Sequence, residues 1–225
     1  GFVVEDKYDG IRAQAHVMPL AGDAASSLLH GQVVGDRRVA FFSRTLDEIT
    51  EAFPDLLAPL AAILPDISHD GFILDGEILP VAPAIMGVME PTDILPFQRL
   101  QPRLGRKTLP SDLLAQAPVA FVAYDLLYAD GSVLLESSFE NRRSLLEAIP
   151  VDGQFIRRTE SNTFTDVSLL DAEFAAARLR GNEGLMVKDP SSVYKPGRRG
   201  REWLKIKRTE ATLDVVVTAA QVGEG

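Results

Sequence analysis

Glu5-Asp6-Lys7-Tyr8-Asp9-Gly10-Ile11, followed by Arg12, sets a lysine between an apolar run, Phe2-Val3-Val4, and a glycine turn. Val3 to Lys7 alternates like a strand, Asp9-Gly10 is a tight-turn dipeptide, and Ile11 to Val17 resumes the alternation. The segment therefore reads as a hairpin that presents Lys7 beside its turn. A surface hairpin carrying an ordinary solvated lysine has the same local pattern, so chemistry at Lys7 needs support from elsewhere in the chain.

Outward from this segment, alternating or continuous Val, Ile, Phe and Leu predict strands over 2–7, 11–18, 38–43, 72–79, 119–127, 184–188, 203–208 and 213–219. Thr45 with Glu48 forms a capping box for a helix running to about Leu64, with Leu46, Ile49, Phe53, Leu56, Leu57, Leu60 and Leu64 on one face and kinks or splits expected at Pro54 and Pro59. Ser138 caps a helix over 139–149, and Thr165 or Asp166 caps another that ends at Arg180 before Gly181. Pro91 to Gly105 is expected to be helical, Leu20 to Asp36 a long hairpin connection, and Pro80 to Pro96 an ordered loop. Strands and helices mix without a regular βαβ rhythm, so the fold class is α+β with mainly antiparallel sheets.

Composition narrows the function. With 225 residues, 46% hydrophobic, the chain can build a substantial core. Its best apolar run, Leu56 to Leu64, is short and broken by Pro59, which argues against a membrane span. Zero cysteines exclude disulfides and thiol chemistry, and suit a reducing cytoplasm. A net charge of −9 argues against a protein that grips nucleic acid over its whole surface. Yet Lys195, Arg198, Arg199, Arg201, Lys205, Lys207 and Arg208 face only one acid, Glu202, within 195–208. That stretch reads either as a solvated loop and strand or as a contact for a DNA backbone, with Lys195, Arg198, Arg199 and Arg201 as the DNA-binding candidates.

Five further segments accompany the Lys7-Tyr8-Asp9-Gly10 stretch in order: Phe42-Ser43-Arg44-Thr45, Ile73-Leu74-Asp75-Gly76-Glu77, Phe121-Val122-Ala123-Tyr124-Asp125-Leu126, Glu183-Gly184-Leu185-Met186-Val187-Lys188 and Trp203-Leu204-Lys205-Ile206-Lys207. Together the six resemble the adenylation domain of ATP-dependent DNA ligases, members of the covalent nucleotidyltransferase superfamily. The resemblance spans essentially the whole chain. It implies two mainly antiparallel sheets flanked by helices with a nucleotide cleft between them, an ATP-grasp-like arrangement. On that pattern residues 1–210 are the adenylation domain, and 211–225 are a linker and the opening strand of a truncated C-terminal OB-fold domain. The chain is expected to be an excised piece of a longer polypeptide, and to seal nicks poorly alone because a basic motif of that OB domain is missing.

The resemblance implies that Lys7 attacks the α-phosphorus of ATP, expels pyrophosphate and becomes a lysine–AMP adduct, so ATP, or AMP joined to Lys7, is the expected ligand. Only a neutral amine attacks, and for an ordinary lysine of pKa near 10.4 losing the proton at pH 7 costs about 4.6 kcal/mol. Burial and nearby cations lower that cost. Lys205 and Lys207 alternate on a strand and share one face, where they can supply those cations. The resemblance puts both on the α-phosphate. Mg2+, or Mn2+, is the expected metal, and Glu77 and Glu183, at strand ends, are its candidate ligands, Glu77 alternatively serving the ribose. Tyr124 resembles the aromatic that stacks on adenine, Glu5 the reader of its amino group, Arg12 and Arg44 the arginines on ribose and phosphate, and Lys188 a further phosphate contact. Asp75 and Asp125 are read as structural hydrogen bonders, Trp203 as packing, and His16, His30 and His69 as structural or surface residues.

The expected function is the catalytic core of an ATP-dependent DNA ligase, passing AMP from Lys7 to the 5′-phosphate of nicked double-stranded DNA before the 3′-hydroxyl seals it. A cytoplasmic monomer at a prokaryotic nucleoid is expected, with no membrane partner. The alternatives are an RNA ligase, a capping-type nucleotidyltransferase, or a nucleotide- or DNA-binding module without catalysis.

Overall fold

The computed structural model describes residues 1–20, 30–63, 70–82, 94–106, 109–151, 153–197, 200–207, 216 and 218–219. The opening segment forms two strands, β1 (Phe2–Lys7) and β2 (Ile11–Pro19), but they do not pair with each other. The expected hairpin is therefore corrected. Asp9 and Gly10 lack the positive φ that a two-residue hairpin turn of the favoured type demands. Gly10 serves close approach instead, since a Cβ there would lie 2.4 Å from the Ile78 carbonyl oxygen. Tyr8, whose hydroxyl meets Thr159 Oγ1 at 2.9 Å, helps anchor the crossing. Lys7 thus ends a strand where the chain passes from one sheet to the other.

The other strands among the described residues are β3 (Gln32–Val34), β4 (Arg37–Ser43), β5 (Phe72–Pro80), β6 (Val119–Ala129), β7 (Ser132–Val133), β8 (Ile156–Arg158), β9 (Ser161–Phe164), β10 (Gly184–Lys188) and β11 (Trp203–Lys207). The smaller sheet is antiparallel in the order β11-β10-β1-β9, and the larger runs β3-β4-β2-β5-β6-β7, with β8 parallel to β6. The helices are α1 (Leu57–Ala61), α2 (Ser111–Gln116), α3 (Phe139–Glu147) and α4 (Leu170–Leu179). Ser138 caps α3 by accepting from the Asn141 amide, as its position predicts.

Each sheet has one apolar face with its own cover. On the larger, Ala15 lies level with Phe41 and Leu74 and Val17 with Val39, and together with Ala13 they join one core with Phe53, Leu56, Leu60 and Leu146. On the smaller, Val4 and Leu185 pack against Ala177, Leu170 and Phe174 of α4 and its first turn. Burial of each of the Val, Leu and Phe side chains contributes about 1.5–3 kcal/mol. Alternation leaves the second face of each sheet polar, and these two polar faces meet.

The helix expected over 45–64 is corrected. Leu46 takes a φ of 66°, and Ser43, Thr45 and Asp47 close a hydroxyl–carboxylate turn in which Thr45 donates to Asp47. Glu48 accepts from the Thr50 hydroxyl and the Gly31 amide and pairs with His30, so it caps no helix. Only short 3₁₀ turns and α1 follow, because Pro54 and Pro59 interrupt the backbone ladder. The stretch expected to be helical to Gly105 is a 3₁₀ helix over Phe97–Arg103. Leu20 to Asp36 is in part a strand, β3, while four of the seven residues of the strand expected over 213–219 lie outside the described residues, as does His69.

Candidate active site

Along β1, Glu5 and Lys7 point to the polar face, and the register places them opposite Met186 and Gly184 of β10, which in turn face Lys205 and Lys207 of β11. Lys7 and Lys207 converge on one carboxylate, that of Glu183. The Lys7 amine contacts it directly, Lys207 Nζ lies 3.2 Å from Oε1, and the Glu183 amide donates to the Lys7 carbonyl oxygen at 2.8 Å. Partial burial pushes the Glu183 carboxyl up, but hydrogen bonds from Lys7 and Lys207 outweigh it and hold the group below the usual carboxylate range. Lys7 must leave Glu183 before its amine can attack anything else. Lys205 is exposed and has no ion-pair partner among the described residues.

The larger sheet supplies the facing wall. Arg12 sits opposite Glu77, and its guanidinium clasps Asp75 through Nε at 3.2 Å and Nη2 at 2.7 Å. Tyr194 completes the arrangement, accepting from Arg12 Nη2 at 2.8 Å while donating to Asp75 Oδ2 at 2.7 Å. Burial pushes Glu77 up to about 7, against the opposing pull of nearby Lys7 and Arg12 and a hydrogen bond from the Gly10 amide. The β5–β6 ladder shifts register at Asp75/Gly76, leaving Tyr124 as the extra residue of a bulge. Bulges re-aim side chains, and here the Tyr124 hydroxyl comes within 3.5 Å of Asp75.

Between the walls lies a buried pair. Lys188 Nζ is 2.5 Å from Glu5 Oε2, with side chains only 1% and 3% exposed. Three rings enclose the ammonium, those of Trp203 at 4.2 Å, Phe139 at 4.4 Å and Tyr124 at 5.3 Å. Lys188 lies on the same face of the sheet as Lys205 and Lys207, but its ammonium is engaged by Glu5 and the three rings. Glu5 Oε1 is buried without a hydrogen-bond partner among the described residues, with Arg143 Nη1 at 3.8 Å, beyond bonding range.

Arg44, past the end of β4, is exposed and makes no ion pair among the described residues. In the basic loop, Lys195 contacts Glu202 and Arg201 is exposed, while Arg198 and Arg199 lie outside the described residues. Asp75 and Asp125 are structural hydrogen bonders as expected. Asp125 is held by Arg142 at 2.8 and 3.0 Å, both side chains fully buried.

Sequence reasoning missed Tyr194, Arg142, Arg143 and the group Asp6, Arg180 and Asn182. A Tyr embedded between Ser192 and Lys195, outside any strand, carries no periodic signal. The short strands β8 and β9 were likewise invisible, since three or four residues hold too little alternation.

Residues 30–207 match the model of the ATP dependent DNA ligase domain. A probable DNA ligase of Koribacter versatilis (strain Ellin345) is 39% identical over 246 residues, which covers 99% of this chain and 38% of that protein. The ligase domain from M. tuberculosis LigD shares 28% identity at a TM-score of 0.62, covering 92% of this chain and 53% of that one. A mycobacterial DNA ligase D complexed with ATP and MES gives 28% and 0.64, covering 92% and 54%. The chain spans 38%, 22% and 34% of the lengths of three curated relatives that it matches.

Proposed function

The chain belongs to the ATP-dependent DNA ligase family, and from that premise we propose that it carries the self-adenylation step, with Lys7 as the nucleophile. The Lys7 nitrogen bonds to the α-phosphorus of ATP as the bond to the pyrophosphate oxygen breaks. The observation that carries this reading is the convergence of Lys7 and Lys207 on the Glu183 carboxylate, with Glu77 of the facing sheet near enough to feel the Lys7 charge. Lys205 and Lys207 receive the charge that gathers on the phosphoryl oxygens, an electrostatic contribution that is among the largest in such reactions. Arg12, 40% exposed at its side chain although tied to Asp75, offers its free edge to ribose or phosphate, with Arg44 beside the same wall.

For the base, the half-buried Tyr124 ring supplies a stacking face, and the unpartnered Glu5 Oε1 is an acceptor suited to the amino group of adenine. Lys188 acts through Glu5, pairing with Oε2 and holding the carboxylate in place, and is itself a further candidate for a nucleotide phosphate. No cluster of three possible ligands exists among the described residues, so the donors do not form an all-protein metal cage. They do fit magnesium, which takes one or two carboxylates with substrate phosphate and water, and Glu183 and Glu77 would hold it. Bound there, it would neutralise phosphate charge.

The second substrate is nicked duplex DNA, met by Lys195, Arg198, Arg199 and Arg201, with an OB-fold domain of the longer protein as intramolecular partner. Incubation with ATP labelled at the α-phosphate, followed by a nicked DNA duplex, tests the assignment. Label should enter the protein and then appear on the 5′-phosphate at the nick. Faster labelling by GTP, or transfer to nicked RNA alone, would assign the chain to a different branch of the superfamily.

A further inference from the structure

Asp6 and Asn182 immediately precede Lys7 and Glu183, and they meet on the reverse face of the smaller sheet. Asn182 Nδ2 donates to Asp6 Oδ2 at 2.7 Å. Arg180 clasps the same carboxylate through Nε at 2.8 Å and Nη2 at 2.6 Å, and also reaches Glu173 at 2.9 Å. The Asn182 carbonyl accepts from Arg178 Nη1 at 2.9 Å, and its amide donates to the Ala177 carbonyl at 3.0 Å. The turn between α4 and β10, with Gly181 at a φ of 85°, is thereby pinned to β1 from behind. In front, the Glu183 amide and carboxylate engage Lys7.

We propose that Asp6, with Arg180 and Asn182, is a positioning element that sets the spacing of Lys7 and Glu183. The two adjacent pairs act as front and back of one joint: Lys7 with Glu183 faces the cleft, and Asp6 with Asn182 and Arg180 faces α4. A turn at a helix end is a place where backbone readily frays, and misplacing a reacting group by about 1 Å can cost roughly 100-fold in rate. Three charge-assisted hydrogen bonds on one half-buried carboxylate oppose that drift. None of the three side chains touches the cleft, so their effect passes through Lys7 and Glu183. The inference rests on Lys7 adenylation as the reaction.

The test compares wild type with Asp6→Ala and the milder Asn182→Ala. At saturating ATP the labelling rate should fall about 10- to 100-fold, while the KM for ATP stays within about threefold. In a Glu183→Gln background the added effect of Asp6→Ala should shrink below about threefold, because there is no longer a placed carboxylate to lose. Exchange of the Glu183 amide proton, measured without nucleotide, should quicken at least about tenfold in Asp6→Ala. A lowered melting temperature with an unchanged rate would overturn the proposal, as would an undiminished effect in the Glu183→Gln background. Unchanged protection of the Glu183 amide would overturn it even if the wild-type chain took no label, an outcome that by itself refutes only the assigned reaction.

Discussion

Replacing Lys188 by methionine strips the countercharge from Glu5, whose side chain is 3% exposed. The nearest remaining cation, Arg143, stands 3.8 Å from the other carboxylate oxygen. Breaking a buried pair from one side costs about 3–5 kcal/mol. In a chain of this size each kcal/mol moves the melting temperature by about 2–4 °C, so Lys188→Met should melt some 6–20 °C below wild type. Methionine fills the cage of Trp203, Phe139 and Tyr124 and keeps favourable sulfur–ring contacts, so packing is not the main loss. The double variant Glu5→Gln/Lys188→Met removes both charges and should return to within about 1 kcal/mol of wild type, since neutral replacements of buried pairs are often tolerated. Its preference for ATP over GTP should nevertheless collapse, because the amide no longer offers a fixed anionic acceptor to the base. Urea unfolding at neutral pH, with labelling by each nucleotide, reads both halves. Lys188→Met within about 1 kcal/mol of wild type, or a double variant no better than the single, would refute the reasoning.

Three other outcomes are expected. Because burial pushes Glu77 up to about 7, between about 4.5 and 7 the folded chain holds a proton that the unfolded chain has released, and stability from this group falls as pH rises through that window. Glu77→Gln should therefore gain on wild type by at most about 3 kcal/mol between pH 4.5 and 8 in urea melts. The comparison cancels His16, held down to about 4 by burial, whose contribution is lost in the opposite direction as pH falls below about 6.5; a pH-independent difference would contradict the assignment. Tyr194→Phe removes the hydroxyl shared by Arg12 and Asp75, and should weaken ATP binding by about 1.5–3 kcal/mol by calorimetry, with no further loss in an Arg12→Ala background. Gly10→Ala places a Cβ 2.4 Å from the Ile78 carbonyl oxygen and 2.7 Å from Leu79 Cδ2, so the crossing at Lys7 must shift. Its labelling rate should fall at least about tenfold, and a wild-type rate would show that the crossing is not tightly seated.

The strands carrying the motifs were legible because each combines an apolar pattern with unusual charged residues in or beside it: Glu77 within β5, Glu183 before β10, Lys205 and Lys207 on β11. Ser138 and Gly181 marked helix ends correctly, since capping is a local matter. Partner choice was not legible. Val3 to Lys7 and Ile11 to Val17 alternate whether they pair with each other or with distant strands, and only the seat of Gly10 on β5 decides. Thr45 and Glu48 imitate a capping box but are consumed by contacts with Asp47, His30 and Gly31. Lys188 shares its β10 face with Met186, yet its destination follows from the rings of Trp203 and Phe139, which arrive from other parts of the chain.

The most direct test is peptide mass spectrometry after incubation with ATP and magnesium. The account predicts one AMP on the peptide that contains Lys7, joined through its side-chain nitrogen, and none in Lys7→Ala. AMP found on any other residue, or retained by Lys7→Ala, would contradict it.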